Sequence, residues 1–377
     1  MKKIKILTVG GGSGGHIIPV KAVIDELLAK DHQLQIEFWC DRKSLKMARA
    51  VFAKSQVKIS PVIAGKFRRY HHFKWWQHLR PSILIPNMID LFKFAIGFFQ
   101  SIIKLLLLRP DIVFAKGGFV CLPVGLAAHS LGIKLITHDS DTVAGLTNRI
   151  LAKYAVKITT GMPVEYYNYP ITKTTYLGIP TLKNNGARTN KQDLNLPKNK
   201  KVVLISGGGL GSELLNHLTM DSLPKLNSNI FVVLVAGKIG FERLNRQKIP
   251  EDKLRLLEFV SNFNQYIEAA DVVVTRAGAT TLAEMANVGK ALILVPNRKL
   301  VGGHQLKNAR ILEERQAAIV LNELDLEKQS ILFADTINQL IDNPEQQAHL
   351  RQNIKAISKP YAAKKLAEII LAEIKNV

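Results

Sequence analysis

Apolar and polar positions along the chain follow one pattern, and it occurs twice. Residues 4–9 are an apolar run that ends in Gly10-Gly11-Gly12-Ser13-Gly14-Gly15, and helical spacing of apolar positions then runs from His16 to Lys30. Residues 202–205 repeat the device, with Ser206-Gly207-Gly208-Gly209-Leu210-Gly211 and a helix from about Ser212. Short runs rich in Val and Ile follow at 35–39, 111–115 and 134–137, and again at 230–236, 272–275 and 291–295. Short, continuously apolar strands alternating with amphipathic helices predict parallel sheets covered on both faces. The fold class is therefore α/β: two doubly wound, Rossmann-like domains, with ligands beyond the carboxyl ends of the strands.

Pro163, Pro170 and Pro180 precede a polar stretch, 183–200, that contains Asn184-Asn185-Gly186 and Pro197. Such punctuation marks a connection between domains. The expected division is a first domain 1–165, a linker region 166–200, a second domain 201–343 and closing helices 344–377. Helical segments are read at 329–342, 344–357 and 360–375. No strand follows them, which makes the last helices candidates for a return to the first domain.

Charge changes the picture more than composition does. Hydrophobic residues make up 47% of the 377, enough for two cores, and Cys40 and Cys121 match no metal spacing, which suits a reducing compartment. The basic N-terminus has too short an apolar run for a signal peptide and reads as a buried strand. Of a formal net charge of +22, much falls early: between Arg42 and Pro110 stand fourteen Lys or Arg and one acid, Asp90. Phe67, Tyr70, Phe73, Trp75, Trp76, Phe92, Phe94, Phe98 and Phe99 are mixed among them. Basic residues among large apolar ones suit an anionic lipid interface better than a nucleic-acid groove. Segment 91–108 is nearly all apolar, but Lys93, Gln100 and Lys104 weaken a transmembrane reading. It reads as a sheet-covering helix whose outer face meets lipid.

The glycine loops carry the candidate chemistry. Backbone N–H groups at a helix start favour phosphate. The first loop lacks a clean dinucleotide fingerprint, although Asp41 after Cys40 leaves NAD as an alternative; no Gly-Lys-Ser/Thr follows, which excludes a Walker loop. His16, at the helix start, has its pKa depressed there and is a candidate base for an acceptor hydroxyl; the bland reading is a hydrogen-bonding N-terminal residue. Lys116-Gly117-Gly118-Phe119 puts more donors at a strand end. His138-Asp139-Ser140-Asp141 reads as a polar acceptor-side loop, or as a metal-binding acid pair. After the strand at 272–275, Arg276 to Glu284 places a carboxylate about a turn and a half along a helix, where it can accept ribose hydroxyls or merely sit at the surface. Gly302-Gly303-His304-Gln305 offers an imidazole and an amide to sugar hydroxyls, or ordinary capping.

As a set, these loops resemble the MurG family, which adds N-acetylglucosamine to undecaprenyl-diphosphate-linked N-acetylmuramoyl-pentapeptide. The resemblance runs from Ile4 to about Asn322. It rests on Gly11-Gly12-Ser13-Gly14-Gly15-His16-Ile17-Ile18-Pro19, Gly65-Lys66-Phe67-Arg68-Arg69-Tyr70, Arg109-Pro110-Asp111 through Gly117-Gly118-Phe119, Gly145-Leu146-Thr147-Asn148-Arg149, Arg276 through Glu284, and His304-Gln305-x-x-Asn308-Ala309. It implies a GT-B fold whose two domains face a central cleft, and an inverting transfer from UDP-N-acetylglucosamine with no cofactor and no metal. Implied donor residues are Ser13, Gly14, Gly15, Gly208, Gly209, Phe263 and Asn264 at the uracil, Arg276, Glu284 at the ribose, His304 and Gln305. Implied acceptor residues are Gly12, Gly117, Gly118, Phe119, Asp139, Asp141 and Asn148, with His16 as the catalytic base or orienting group. The implied partners are a polyprenyl-diphosphate-linked acceptor, an anionic membrane surface through the Lys66 to Leu108 region, and cell-wall synthesis proteins, with no nucleic acid. The implied location is peripheral, on the cytoplasmic face of the cell membrane.

The chain departs from the family pattern at several points. Gly209-Leu210 stands where Ser-Gln is usual, His138-Asp139-Ser140-Asp141 where His-Glu-Gln-Asn is common, and Ile179-Pro180-Thr181-Leu182 where Asn-Pro-x-Arg is. Gly302-Gly303 replaces a more polar approach to His304. A diacylglycerol glycosyltransferase, a UDP-N-acetylglucosamine 2-epimerase and a membrane-recruited scaffold that only binds nucleotide sugar stand as the alternatives.

Overall fold

A computed structural model describes residues 3–67, 80–183, 189–209, 211–247, 249–260 and 262–375. Arg68, Arg69, Tyr70, Phe73, Trp75, Trp76, Asn184-Asn185-Gly186 and Leu210 lie outside the described residues. The chain divides into two compact units, one of Met1–Lys183 with Pro360–Val377 and one of Asn184–Lys359.

In the first unit the strands are β1 (Lys5–Val9), β2 (Gln35–Cys40), β3 (Lys58–Pro61), β4 (Ile112–Ala115), β5 (Lys134–Asp139), β6 (Lys157–Thr160) and β7 (Thr174–Tyr176). The helices between them are α1 (Gly14–Lys30), α2 (Leu45–Val51), α3 (Pro81–Leu108), α4 (Cys121–Ser130) and α5 (Leu146–Leu151). All strand pairs are parallel, in the order β3-β2-β1-β4-β5-β6-β7. The order reverses between β1 and β4, so the loops after these two strands flank the switch point. They are the first glycine loop and Lys116-Gly117-Gly118-Phe119.

The second unit has β8 (Lys201–Ser206), β9 (Ile230–Val235), β10 (Leu254–Leu257), β11 (Val272–Thr275), β12 (Ala291–Leu294) and β13 (Ile319–Val320), in the parallel order β10-β9-β8-β11-β12-β13. Its helices are α6 (Glu213–Ser222), α7 (Gly237–Leu244), α8 (Phe263–Ala269), α9 (Ala279–Val288), α10 (His304–Glu314), α11 (Glu323–Lys328), α12 (Ile331–Ile341) and α13 (Pro344–Ala356). Here the switch lies between β8 and β11, flanked by the second glycine loop and Arg276. A last helix, α14 (Ala362–Lys375), belongs to the first unit.

Each sheet is buried on both faces, which is why its strands read as unbroken apolar runs. Leu366, Ala367 and Ile370 of α14 enter the core beside Ile17, Val20 and Ile24 of α1, and Lys134 Nζ donates to the Glu373 carbonyl at 2.7 Å. Helix α13 stays on the second unit, where Leu350 and Ile354 join its cores. The return therefore begins at Pro360 rather than at 344. The stretch 166–183, expected as linker, carries β7 of the first sheet, and Lys183 pairs with the buried Glu26 of α1 at 2.8 Å.

Helix α3 explains the polar residues that interrupt segment 91–108. Gln100 Oε1 accepts from Ile63 N at 2.9 Å, and Lys104 Nζ donates to Pro61 O at 3.1 Å, so both face inward. Lys93 lies 3.6 Å from Asp90. On the inner side Leu105 joins Leu122 and Val124 of α4 in one core cluster, against which Phe94, Phe98 and Ile102 pack. The outer side exposes Ile85, Met88, Ile89, Phe92, Ile96, Phe99, Ile103, Leu106 and Leu107. The helix begins at Pro81, ten residues before the expected segment, with Pro86 tolerated inside it.

Candidate functional site

The first unit gathers its predicted residues around two interlocked turns. Gly117 and Gly118 both have positive φ, +112° and +85°, conformations that favour glycine, and a side chain on either would meet a neighbour. A Cβ on Gly118 would lie 2.6 Å from Gly11 O and 3.3 Å from His16 Cδ2; one on Gly117 would lie 3.1 Å from Asn148 Nδ2. The Phe119 ring packs beside Gly12. Gly12, His16, Gly117, Gly118, Phe119 and Asn148 are thus brought together. Ser13, the N-cap of α1, and Gly14 and Gly15 in its first turn share this end of the sheet.

Asp41 shapes the first loop. Its carboxylate accepts from Gly12 N at 2.9 Å and Ser44 Oγ at 2.6 Å, and from the amides of Lys43 and Ser44. Those bonds already engage the carboxylate that a dinucleotide ribose would need.

His138 and Asp139 are the last residues of β5 rather than a loop, and both are buried. Thr159 Oγ1 donates to Thr137 O at 3.0 Å, so it accepts from His138 Nδ1, also at 3.0 Å. That leaves His138 Nε2 unprotonated, buried and unpartnered. Asn148 Nδ2 donates to His138 O at 2.9 Å. Asp139 Oδ2 accepts from Tyr169 Oη at 2.9 Å and from Gly145 N at 3.2 Å, and burial pushes its carboxyl up to about 6. Asp141 joins through its carbonyl, which accepts from Tyr167 Oη at 2.7 Å. His16 Nδ1 is buried without a partner; burial and the Lys116 charge hold the ring below its ordinary pKa, in the neutral form. Lys116 itself lies within this cluster, 1% exposed.

The second unit places Gly208, Gly209, Arg276, Glu284, His304 and Gln305 at the carboxyl end of its sheet, with Phe263 and Asn264 opening α8 after β10. Gly211 is fixed by packing, since a Cβ would overlap the Ala236 carbonyl, whereas Gly208 and Gly209 have nothing within 4 Å of theirs. Open space therefore stands at Gly209, one of the positions where the chain departs from the pattern it resembles. Glu284 has no ion pair or side-chain hydrogen bond among the described residues, and burial pushes it up to about 7. Gln305 Oε1 accepts from Asn297 N at 2.9 Å, which leaves its amide N–H groups without a partner among the described residues. His304 is the first residue of α10. Phe263 packs partly against the core.

Arg276 departs most from expectation. Its guanidinium donates to Ser212 Oγ at 2.8 Å from Nη2 and 3.1 Å from Nε, and from Nη1 to Val295 O at 2.9 Å and to Glu323. Four of five N–H donors are used inside the unit. Arg276 braces the α6 N-terminus, the end of β12 and α11, which leaves one of its N–H groups for a ligand. Glu323, which also accepts from Arg298 N at 3.0 Å, carries no signal in sequence beyond lying near an Asn N-cap. Among the described residues no three His, Cys, Asp or Glu side chains converge as metal ligands.

Residues 6–160 match the glycosyltransferase family 28 N-terminal domain, and residues 202–367 its C-terminal domain. The chain is 31% identical over 379 residues to the UDP-N-acetylglucosamine–N-acetylmuramyl-(pentapeptide) pyrophosphoryl-undecaprenol N-acetylglucosamine transferase of Borrelia garinii, covering 99% of this chain and 98% of that one. It is 29% identical to the enzyme of the same name from Bacillus cytotoxicus, over 97% and 98%. The crystal structure of Acinetobacter baumannii MurG superposes with a TM-score of 0.72 at 21% identity, covering 98% of this chain and 99% of that chain, which places the fold as GT-B.

Proposed function

We infer that this chain, which belongs to the family of UDP-N-acetylglucosamine–N-acetylmuramyl-(pentapeptide) pyrophosphoryl-undecaprenol N-acetylglucosamine transferases, performs that transfer in peptidoglycan synthesis. The observation that carries the reading is identity along nearly the whole of both chains, which spans the glycine loops of both units. It favours the lipid-linked muramoyl acceptor over a diacylglycerol acceptor and over epimerisation.

The acceptor is assigned to the first unit and the donor to the second. An acceptor hydroxyl oxygen bonds to the anomeric carbon as the bond from that carbon to UDP breaks. The electron pair leaves with UDP, the configuration inverts, and the hydroxyl proton passes to a base. His16, held neutral, is the base or the group that orients the hydroxyl. Backbone amides of the glycine loops and helix N-termini stabilise the departing diphosphate, and no metal is assigned to the chemistry. Glu284 receives the ribose hydroxyls, Phe263 and Asn264 border the uracil, and Gln305 donates to the sugar. The exposed apolar face of α3, in a unit with 29 Lys or Arg against 12 Asp or Glu, supports a peripheral seat on an anionic membrane.

The test is UDP release from UDP-N-acetylglucosamine with a soluble lipid-linked muramoyl acceptor, with and without EDTA. Release that depends on the acceptor and survives EDTA is expected, as is its loss in His16→Ala. Release no faster with acceptor than without it would overturn the assignment.

A further inference from the structure

Lys116 is an uneconomical residue for a structural position. It follows β4 directly and carries the Gly117-Gly118 turn, yet its ammonium is almost wholly buried and its hydrogen bond goes to a neutral hydroxyl, Ser140 Oγ, at 2.7 Å. Burying an ammonium costs several kcal/mol, and an apolar side chain of similar volume would fill the same space without that cost. The neighbouring carboxylates do not offset it by direct pairing: Asp139 is engaged by Tyr169 and Gly145, and Asp141 accepts from Tyr167 through its carbonyl. Around the lysine stand two imidazoles held neutral chiefly by burial, His16 and His138, each with a buried ring nitrogen that has no partner among the described residues. Lys116 is thus the one cation among the described residues of this cluster, bonded to a hydroxyl rather than to a carboxylate and set directly before the Gly117-Gly118 turn, where its charge is available to an anion.

We propose that Lys116 is a positioning residue of the transfer reaction, its ammonium pinned by Ser140 as the fixed positive charge that holds the acceptor's diphosphate on the Gly117-Gly118 turn. This rests on the transferase reading above. The lysine acts through the turn it carries and through its field, which buried surroundings screen weakly. The groups facing it are His16 from α1, Cys121 from α4, His138 and Asp139 from β5, and Asp141 beyond β5. Burial pulls its pKa down to about 8, with Asp139 and Asp141 pulling the other way. It is cationic below that pH and loses its charge above it, so acceptor binding weakens as pH rises through 8.

Steady-state kinetics of the full chain with the soluble lipid-linked acceptor, from pH 6.5 to 9.5, test this. Lys116→Met is expected to raise the acceptor KM at pH 7 about tenfold or more, leave the donor KM within about twofold, and leave Tm unchanged or higher, since a buried charge is removed. The wild-type acceptor KM should climb above pH 8, the climb should be absent in Lys116→Met and Lys116→Arg, and it should begin at lower pH in Ser140→Ala. A lowered Tm with an unchanged acceptor KM in Lys116→Met would mark a merely structural lysine and overturn the proposal. So would a wild-type KM that stays flat to pH 9.5, a reading that stands even where a variant fails to fold. Wild-type protein that transfers normally while Lys116→Met matches it sinks this inference alone; wild-type protein that transfers nothing sinks the transferase reading with it.

Discussion

Replacing Phe92, Phe99 and Ile103 together by Ser removes the centre of the exposed α3 face. These side chains are 65%, 65% and 61% exposed, so their loss leaves the unit's core intact. Fully burying a Phe or Ile contributes about 1.5–3 kcal/mol, so moving the exposed three-fifths of each into lipid contributes about 1–2 kcal/mol, and the three together about 3–6 kcal/mol. A membrane partition coefficient should fall about a hundredfold or more, since 1.4 kcal/mol is tenfold. Basic residues near an anionic surface add about 1 kcal/mol each, and that part is screened by salt. Co-sedimentation with vesicles containing anionic phospholipid, at 0.05 and 0.5 M salt, separates the two contributions. Wild-type protein should remain partly bound at high salt through the apolar face; the triple variant should bind only at low salt. Activity on a short-chain soluble acceptor should be retained, with Tm within about 2 °C, because exposed substitutions usually shift stability by about 0.5 kcal/mol or less. A triple variant that sediments like the wild type at 0.5 M salt would show that α3 is not the docking face.

Other outcomes follow from the second unit. Glu284 has a folded pKa near 7 against 4.5 when unfolded, so ionising it in the fold costs stability progressively as pH rises from 4.5 to 7. Glu284→Gln should therefore stabilise the free protein by about 1–3 kcal/mol at pH 8 and by little at pH 4.5, while weakening UDP binding; equal Tm differences at both pH values would refute the burial argument. Glu323→Ala leaves the Arg276 guanidinium buried without its carboxylate and should destabilise by about 3–5 kcal/mol, read by denaturant titration; a change under 1 kcal/mol would show that the brace carries no weight. Gly211→Ala should lower Tm sharply, because its Cβ overlaps the Ala236 carbonyl at a φ of +78°, whereas Gly209→Ser should leave Tm unchanged and alter only the donor KM. Equal Tm values for the two glycine variants would contradict the packing.

Alternation and period carried most of the fold. Strands 272–275 and 134–137 announce themselves because both faces of each sheet are buried, which leaves no polar position to blur the run. Helix α2 is too short for periodicity to show it, and β3, an edge strand that is only partly buried, carries no unbroken apolar run. The inward orientation of Gln100 and Lys104 was invisible for a related reason: a linear sequence counts them as interruptions, although each reaches a backbone group of the segment 61–63 that only the fold brings near.

The sites were legible to different depths because they are built differently. Glycines at strand ends mark backbone positions, and backbone positions survive translation from sequence to structure: Gly12, Gly117, Gly118 and Gly211 all lie in turns with positive φ. Side-chain roles do not survive as well, since a partner three strands away is not encoded near the residue it serves. Arg276 reads as a phosphate ligand until Ser212, Val295 and Glu323 claim most of its donors, and Asp41 reads as a ribose acid until Gly12 and Ser44 claim its oxygens. Lys116 shows the opposite error. It sits inside a quoted motif yet draws no attention, because a lysine before two glycines looks like a solvated charge. Only burial turns it into a question: an ammonium buried and bonded to a hydroxyl, with carboxylates near but not paired to it, leaves its charge for a ligand to meet.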